Sequence, residues 1–296
     1  MQTAAPRPHW LAYLALGAGI LCLTFSAFFI RWSSAPGVVT TFFRMGLAGT
    51  LLAPMMLPRA RKVHWSPALL SLALLGGVIS ALDHATWAGA LGVTSVANAT
   101  LLNNTAPVWV ALAAWLFFRE KLNRRFWLGL VLTLSGAVVV LGNNVLLNPK
   151  VTWGDLLGLL SGLFYAAYYI VTQRARARLD AITYMGIVDV ASCLTLLIIC
   201  LAAGLPLTGF PPLTYGVFLG AAVVSQIMGH VSLSYALGHL PASLVSPTML
   251  AQPVISALLA IPLLGESLQP GQWLGGLAVL AGIYLVNQRR APDPAP

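Results

Sequence analysis

Residues 119–141 read Arg119-Glu120-Lys121-Leu122-Asn123-Arg124-Arg125 and then Phe126-Trp127-Leu128-Gly129-Leu130-Val131-Leu132-Thr133-Leu134-Ser135-Gly136-Ala137-Val138-Val139-Val140-Leu141. Four of the first seven side chains are basic, and no charge follows in the next sixteen residues. A basic cluster that gives way to an uncharged apolar run is what a helix looks like where it leaves the cytoplasmic face of a bilayer. Continued to residue 145, the run is long enough, at about 1.5 Å per residue, to cross a hydrocarbon core of about 30 Å.

Worked outward in both directions, the same alternation recurs. Apolar runs fall near residues 10–30, 37–57, 67–91, 94–118, 126–145, 153–173, 182–204, 213–237, 242–264 and 271–288. The reading is an all-α polytopic membrane protein with ten transmembrane helices. Composition agrees: only 8% of the 296 residues are charged, with mean hydropathy +0.85, against about 25% charged in soluble domains. Lipid is therefore the solvent partner. The net charge of +9 does not point to nucleic acid, because the basic residues sit in short clusters between spans. Cys22, Cys193 and Cys200 each lie inside an apolar run without metal-ligand spacing, so no metal or cofactor is expected. Residues 1–9 are too short for a separate targeting segment, and the Pro-rich tail 291–296 is read as disordered.

Orientation follows from those clusters. With the N-terminus in the cytoplasm, 13 of the 16 basic residues fall on inside segments and two, Arg31 and Lys150, outside, with Arg44 inside a span. Both termini are thus expected in the cytoplasm.

The chain also matches itself. Shifted by 146 residues, His84 falls on His230, Ala90-Leu91-Gly92 on Ala236-Leu237-Gly238, Pro107 on Pro253, Glu120 on Glu266, Trp127-Leu128-Gly129 on Trp273-Leu274-Gly275, and Gly136 on Gly282. Near the N-terminus a shift of 143 pairs Trp10 with Trp153 and Gly19 with Gly162. Shared Leu or Ala could arise by chance; Trp, Pro, Glu and His in one register are harder to obtain that way. Two five-helix repeats are expected, residues 1–148 and 149–290. Five is odd, so the second repeat enters the membrane inverted, as in many secondary transporters.

Thr94-Ser95-Val96-Ala97-Asn98-Ala99-Thr100, Pro107, Phe118-Arg119-Glu120-Lys121-Leu122, Gly129 and Gly136, with a second copy through Ser243, Pro253, Gly265-Glu266-Ser267-Leu268, Gly275 and Gly282, resemble the signature of EamA-type transporters of the drug/metabolite transporter superfamily. Within it the chain is most similar to bacterial aromatic amino acid exporters. The resemblance implies a bacterial inner-membrane carrier with a central cavity lined mainly by spans 1, 3, 4, 6, 8 and 9; a monomer is expected. Four-helix relatives bind cations and protons through a Glu in the first span. Spans 1 and 6 here carry no acid at depth, which favours a neutral or zwitterionic solute.

Ionisable groups at membrane depth are functional candidates. Arg44 and Asp83 lie roughly 10 Å and 12 Å below the same surface, and Asp189 and His230 share a depth in the second repeat. Two polar pairs are expected, either neutralising one another and fixing helix packing or, through His84 and His230, meeting solute. Tyr165, Tyr168 and Tyr169 share one helical face, and Trp87 lies on the His84 side of span 3; the alternatives are a wet cavity and plain core. Span 4 carries Asn98, Thr100, Asn103, Asn104 and Thr105 just before Pro107, and span 9 carries Ser246, Pro247, Thr248 and Gln252 before Pro253. Such proline-kinked, polar helices either bind solute or serve as hinges. With Gln226 these residues make up the candidate cavity. Glu120 and Glu266 are expected to brace the helices that follow them, and Gly158-x-x-x-Gly162 to allow close helix contact. No phosphate-binding loop, zinc-protease motif or nucleophile elbow appears, so a carrier of small molecules is favoured over an enzyme. A lipophilic-cation exporter and a channel are the competing readings.

Overall fold

A computed structural model describes residues 9–94, 96–141, 152–264 and 269–288. Among these residues it is all helix with irregular connections and no strand. The elements are α1 (His9–Trp32), α2 (Gly37–Ala60), α3 (Pro67–Leu91), α4 (Val96–Asn103), α5 (Ala106–Phe117), α6 (Arg124–Leu141), α7 (Trp153–Arg176), α8 (Ala181–Ala202), α9 (Pro212–Gly220), a π-helical segment (Ala221–His230), α10 (Val231–Leu237), α11 (Ala242–Thr248), α12 (Ala251–Leu264) and α13 (Pro270–Asn287).

Among the described residues nine stretches are long and apolar enough to cross a bilayer, among them Ala99–Phe117, Pro212–Leu237 and Ala242–Leu263, which run through more than one helical element. The remaining expected span is α13, 18 residues whose first turn is diluted by Gln272. The apolar surface these helices present outward would be untenable in water: Ile198 is 68% exposed, Leu213 78% and Leu274 69%. Trp10, Trp32, Trp65, Trp153 and Trp273 are also exposed and sit at or beside helix ends, the placement of interfacial anchors.

Three expected spans are interrupted. Span 4 breaks at Asn104–Thr105, between α4 and α5. Pro107 enters the first turn of α5 and has no N–H to offer the Asn103 carbonyl one turn back. Span 9 breaks at Met249–Leu250, just before Pro253. In span 8 the sequence gives no sign of the ten-residue π segment Ala221–His230, because apolar periodicity hardly separates a π turn from an α turn. The residues 142–151, expected in part to extend span 5, lie outside the described residues, as do Glu266 and the tail.

The chain divides into two compact units that cut across the expected sequence halves. Unit 1 is Met1–Ala81 with Tyr168–Pro241, and unit 2 is Leu82–Ala167 with Ala242–Pro296. In unit 1, α2 packs along α8, and α1 along the π segment and α10. Glycine permits both contacts: a methyl on Gly49 would lie 3.4 Å from the Asp189 Cβ, and one on Gly19 3.2 Å from the Gly229 carbonyl oxygen. Helix α8 starts on Asp180, whose carboxylate accepts the Ile182 and Thr183 N–H groups.

In unit 2 the most extensive contact is α6 against α13. Gly129 meets Gly282 and Gly136 meets Gly275, so a methyl on Gly136 would stand 2.5 Å from the Gly275 carbonyl oxygen and one on Gly275 2.8 Å from that of Gly136. Gln272 Nε2 reaches the Val140 carbonyl at 3.1 Å. Backbone-to-backbone approach of this kind is how helices associate in lipid, where there is no water to drive burial.

Candidate functional site

Unit 2 holds a polar network at the break in span 4. The Asn103 side-chain amide donates to Asp83 Oδ1 and to Ser161 Oγ, both at 3.0 Å. Ser161 Oγ in turn donates to the Gly158 carbonyl at 2.8 Å. Three helices, α3, α4 and α7, are thereby joined at one depth. Helix α7 approaches through its two glycines: a methyl on Gly162 would lie 2.7 Å from the Leu102 carbonyl oxygen and from Thr105 Oγ1, and one on Gly158 3.1 Å from Leu102 Cβ. The Gly158-x-x-x-Gly162 contact expected from sequence is therefore made within the chain, onto the broken helix. Thr105 Oγ1 caps the Leu102 carbonyl and accepts Trp109 Nε1 at 3.2 Å.

His84 lies beside this network, its Nδ1 3.7 Å from Asp83 Oδ2. Trp87, Thr100, Asn104 and Tyr165 are half-buried in the same unit. The Asn104 amide nitrogen is enclosed and donates no hydrogen bond, and Ser246 Oγ on α11 is likewise enclosed. Gln252 is half-buried on α12. The side chain of Asn98 lies outside the described residues. Glu120 differs from its expected role: it accepts Ser243 Oγ at 2.7 Å, bracing the first turn of α11 and not α6. The start of α6 is capped instead by Asn123, whose Oδ1 accepts the Phe126 N–H at 2.9 Å.

The other candidates lie in unit 1. Tyr168 and Tyr169 are each 1% exposed. The Tyr168 hydroxyl points to the Met185 sulfur at 3.5 Å, and its ring meets the His230 ring edge-on at 6.2 Å. Arg44, 2% exposed, donates to Ser26 Oγ at 2.8 Å. Asp189 is wholly buried, and Oδ1 accepts Gln226 Nε2 at 2.7 Å. The expected Asp189–His230 pair is thus replaced by Asp189–Gln226. Gln226 stands four residues before His230 on the π segment, so the two offer neighbouring positions and the longer-reaching amide takes the carboxyl. Arg44 is near enough to act on the Asp189 charge. Arg44 and Asp83, expected as partners, belong to unit 1 and unit 2 respectively.

A furrow of about 540 Å³ between α2 and α8 is lined by Phe42, Phe43, Gly46, Thr50, Val190 and Leu194 among others. It has almost no polar lining and suits an acyl chain better than a polar solute. Among the described residues no three His, Cys, Asp or Glu side chains converge as metal ligands.

Long apolar helices, two of them broken at proline, with hydrogen-bonded polar groups at membrane depth, define a multi-pass helical membrane protein of the kind that carries solutes. The profile of the EamA-like transporter family matches twice, over residues 9–142 and 152–288. The chain belongs to that family and is a membrane transporter. It is 27% identical over 205 residues to an uncharacterized transporter of Archaeoglobus fulgidus, covering 68% of this chain and 70% of the relative. It is 29% identical over 222 residues to one of Methanothermobacter thermautotrophicus, covering 74% of this chain and 63% of the relative. The uncharacterized inner membrane transporter YedA of Escherichia coli is 25% identical over 273 residues, covering 88% and 85%. A solved crystal structure shares the fold with TM-score 0.79, covering 96% of this chain and all of that one at 17% identity.

Proposed function

We propose that the protein is a secondary transporter that exports neutral amino acids, aromatic ones included, by alternating access through a central cavity. The observation that carries this reading is the Asp83–Asn103–Ser161 network at the broken span 4. It places amide, carboxyl and hydroxyl groups where the helix has lost its regular backbone pairing, the setting in which transporters hold the two ends of a zwitterion. His84, Trp87 and Tyr165, half-buried in the same unit, offer imidazole and aromatic surface for a side chain, each aromatic contact contributing about 0.5–1.5 kcal/mol beyond burial. The absence of an acid at depth in spans 1 and 6 disfavours lipophilic cations.

Two successive matches to one family profile support a duplicated chain, and five helices per copy support inversion. The basic-residue bias supports cytoplasmic termini, and the E. coli relative, described as an inner membrane transporter, supports that location. A monomer suffices for this mechanism. The test is counterflow in proteoliposomes loaded with unlabelled phenylalanine: labelled phenylalanine and leucine should accumulate transiently. Uptake of a lipophilic cation without any amino acid would overturn the substrate, and steady electrical current would replace the carrier by a channel.

A further inference from the structure

Unit 1 encloses a carboxyl oxygen and a carboxamide oxygen that accept no hydrogen bond. Asp189 is 0% exposed and Gln226 1% exposed. One hydrogen bond, Gln226 Nε2 to Asp189 Oδ1, joins them. The remaining oxygens, Asp189 Oδ2 and Gln226 Oε1, are both buried and accept nothing. An ionised carboxylate and a carboxamide oxygen are acceptors only. An ionised Asp189 would therefore hold its charge out of water on a single hydrogen bond, with two buried acceptors unserved beside it.

The surroundings do little to relieve this. Helix α2 packs on α8 closely enough that a methyl on Gly49 would lie 3.4 Å from the Asp189 Cβ. Helix α2 brings Arg44, which donates to Ser26 and is near enough to act on the Asp189 charge, and carries Arg59 in its last turn. On α8 itself Cys193 lies one turn away, and Tyr184 is engaged with Thr172 on α7 at 2.9 Å. The π segment brings His230 one turn beyond Gln226, against Tyr168 of α7. Helix α10 carries Tyr235, α9 carries Tyr215, α1 carries Cys22 in its middle turns, and the part of α3 in this unit has no titratable side chain.

We propose that Asp189 is a proton-binding site, its carboxyl holding a proton on Oδ2 that supplies the donor the Asp189–Gln226 pair lacks. The step is simple: the carboxylate takes one proton from water, forming one O–H bond, and returns it when the pair opens. The π segment provides a way to open it, because return to an α register would withdraw Gln226 from α8. π turns inside helices are recurrent at functional positions for this reason. The site gives the transporter, which has no acid at depth in spans 1 and 6, a means of linking its cycle to a proton gradient. The inference does not depend on which solute moves.

The test uses purified full-length protein in detergent, without solute. Infrared difference spectra across a pH jump should show a carboxylic-acid carbonyl band that shifts in D₂O and is absent in Asp189→Asn. The folded state binds a proton that the unfolded chain has released at neutral pH, so wild-type thermal stability should be greatest at low pH. It should decline as pH rises above the ordinary carboxylate range. Asn mimics the acid, accepting from Gln226 Nε2 and donating from its own amide, so Asp189→Asn should be folded with a flat profile over that rise. Asp189→Ala should be less stable throughout. Gln226→Leu, which leaves the acid without its partner, should move the carbonyl band and provides the assignment if Asp189→Asn does not fold. A wild type with no such band, or an Asp189→Asn as damaged as Asp189→Ala with the wild-type pH slope retained, would show an ionised carboxylate served by Arg44 or by a buried water, and would overturn the proposal.

Discussion

Asn103 spends both amide protons on buried acceptors, and its replacement by Ala would take one donor from Asp83 Oδ1 and one from Ser161 Oγ, which keeps its bond to the Gly158 carbonyl. A lost buried hydrogen bond costs about 0.5–1.5 kcal/mol, more where a charged group is involved, so Asn103→Ala should lower the thermal midpoint in detergent. Ser161→Ala should do so less, because Asn103 keeps Asp83. Equal midpoints for wild type and Asn103→Ala would mean that the network does not hold the break. Tyr168 calls for a different treatment. From sequence its Tyr face is either a wet cavity or plain core, and in the cavity reading truncation would spare folding. In the structure it is 1% exposed and packed between Met185 and His230, so Tyr168→Ala is a core truncation of about 3–5 kcal/mol. Tyr168→Phe keeps the ring and removes the hydroxyl with its long contact to the Met185 sulfur, and should cost less than Tyr168→Ala. Transport measured with Phe at 168, alongside His84→Ala, separates solute contact from packing. His84→Ala should weaken phenylalanine counterflow more than alanine counterflow, and equal loss for both solutes would remove His84 from the side-chain pocket.

At the scale of elements, the α6–α13 contact is built from glycines that the sequence repeat already pairs, Gly129 with Gly275 and Gly136 with Gly282. In space the partners cross over, Gly129 to Gly282 and Gly136 to Gly275. A methyl at Gly136 meets backbone, which cannot step aside as a flexible side chain can, so Gly136→Ala should cost about 1–3 kcal/mol. Gly17 and Gly216, which have open space around them, should accept Ala without loss. Thermal unfolding of the three variants in one detergent checks the contrast, and a neutral Gly136→Ala would mean that the two helices are free to separate. Helix number, the span 4 break and the polar residues at it are legible in the sequence because hydropathy, proline and amides each leave a local mark. The π segment is not, since its signal is one of hydrogen-bond register alone. Asp189 is legible as a buried acid, but nothing local chooses between Gln226 and His230 as its partner, since they stand four residues apart. Glu120 was misassigned for a related reason: its partner Ser243 is 123 positions away in sequence, and nothing local announces it.

The whole-molecule prediction concerns topology. The segment between Phe117 and Phe126 carries Arg119, Lys121, Arg124 and Arg125, whereas the equivalent segment 146 residues on holds Gly265-Glu266-Ser267-Leu268 with no basic residue. The shared letters Glu120/Glu266 and Leu122/Leu268 give the two loops a common ancestor under the duplication reading, and the loss of every positive charge in the second gives them opposite sides under the positive-inside bias. A single odd-numbered repeat copied in tandem requires this reversal, because five crossings return the chain to the far face. A cytoplasm-active reporter fused after Arg125 should therefore be active and one fused after Leu268 silent, with a periplasm-active reporter giving the reverse. Both fusions reporting one side would break the inversion while leaving the family assignment intact. Adding two Lys beside Glu266 sharpens the test, since each basic residue opposes translocation of the loop that carries it. Membrane insertion of the last span should fall, read as cytoplasmic signal from the second fusion, while the first fusion stays unchanged.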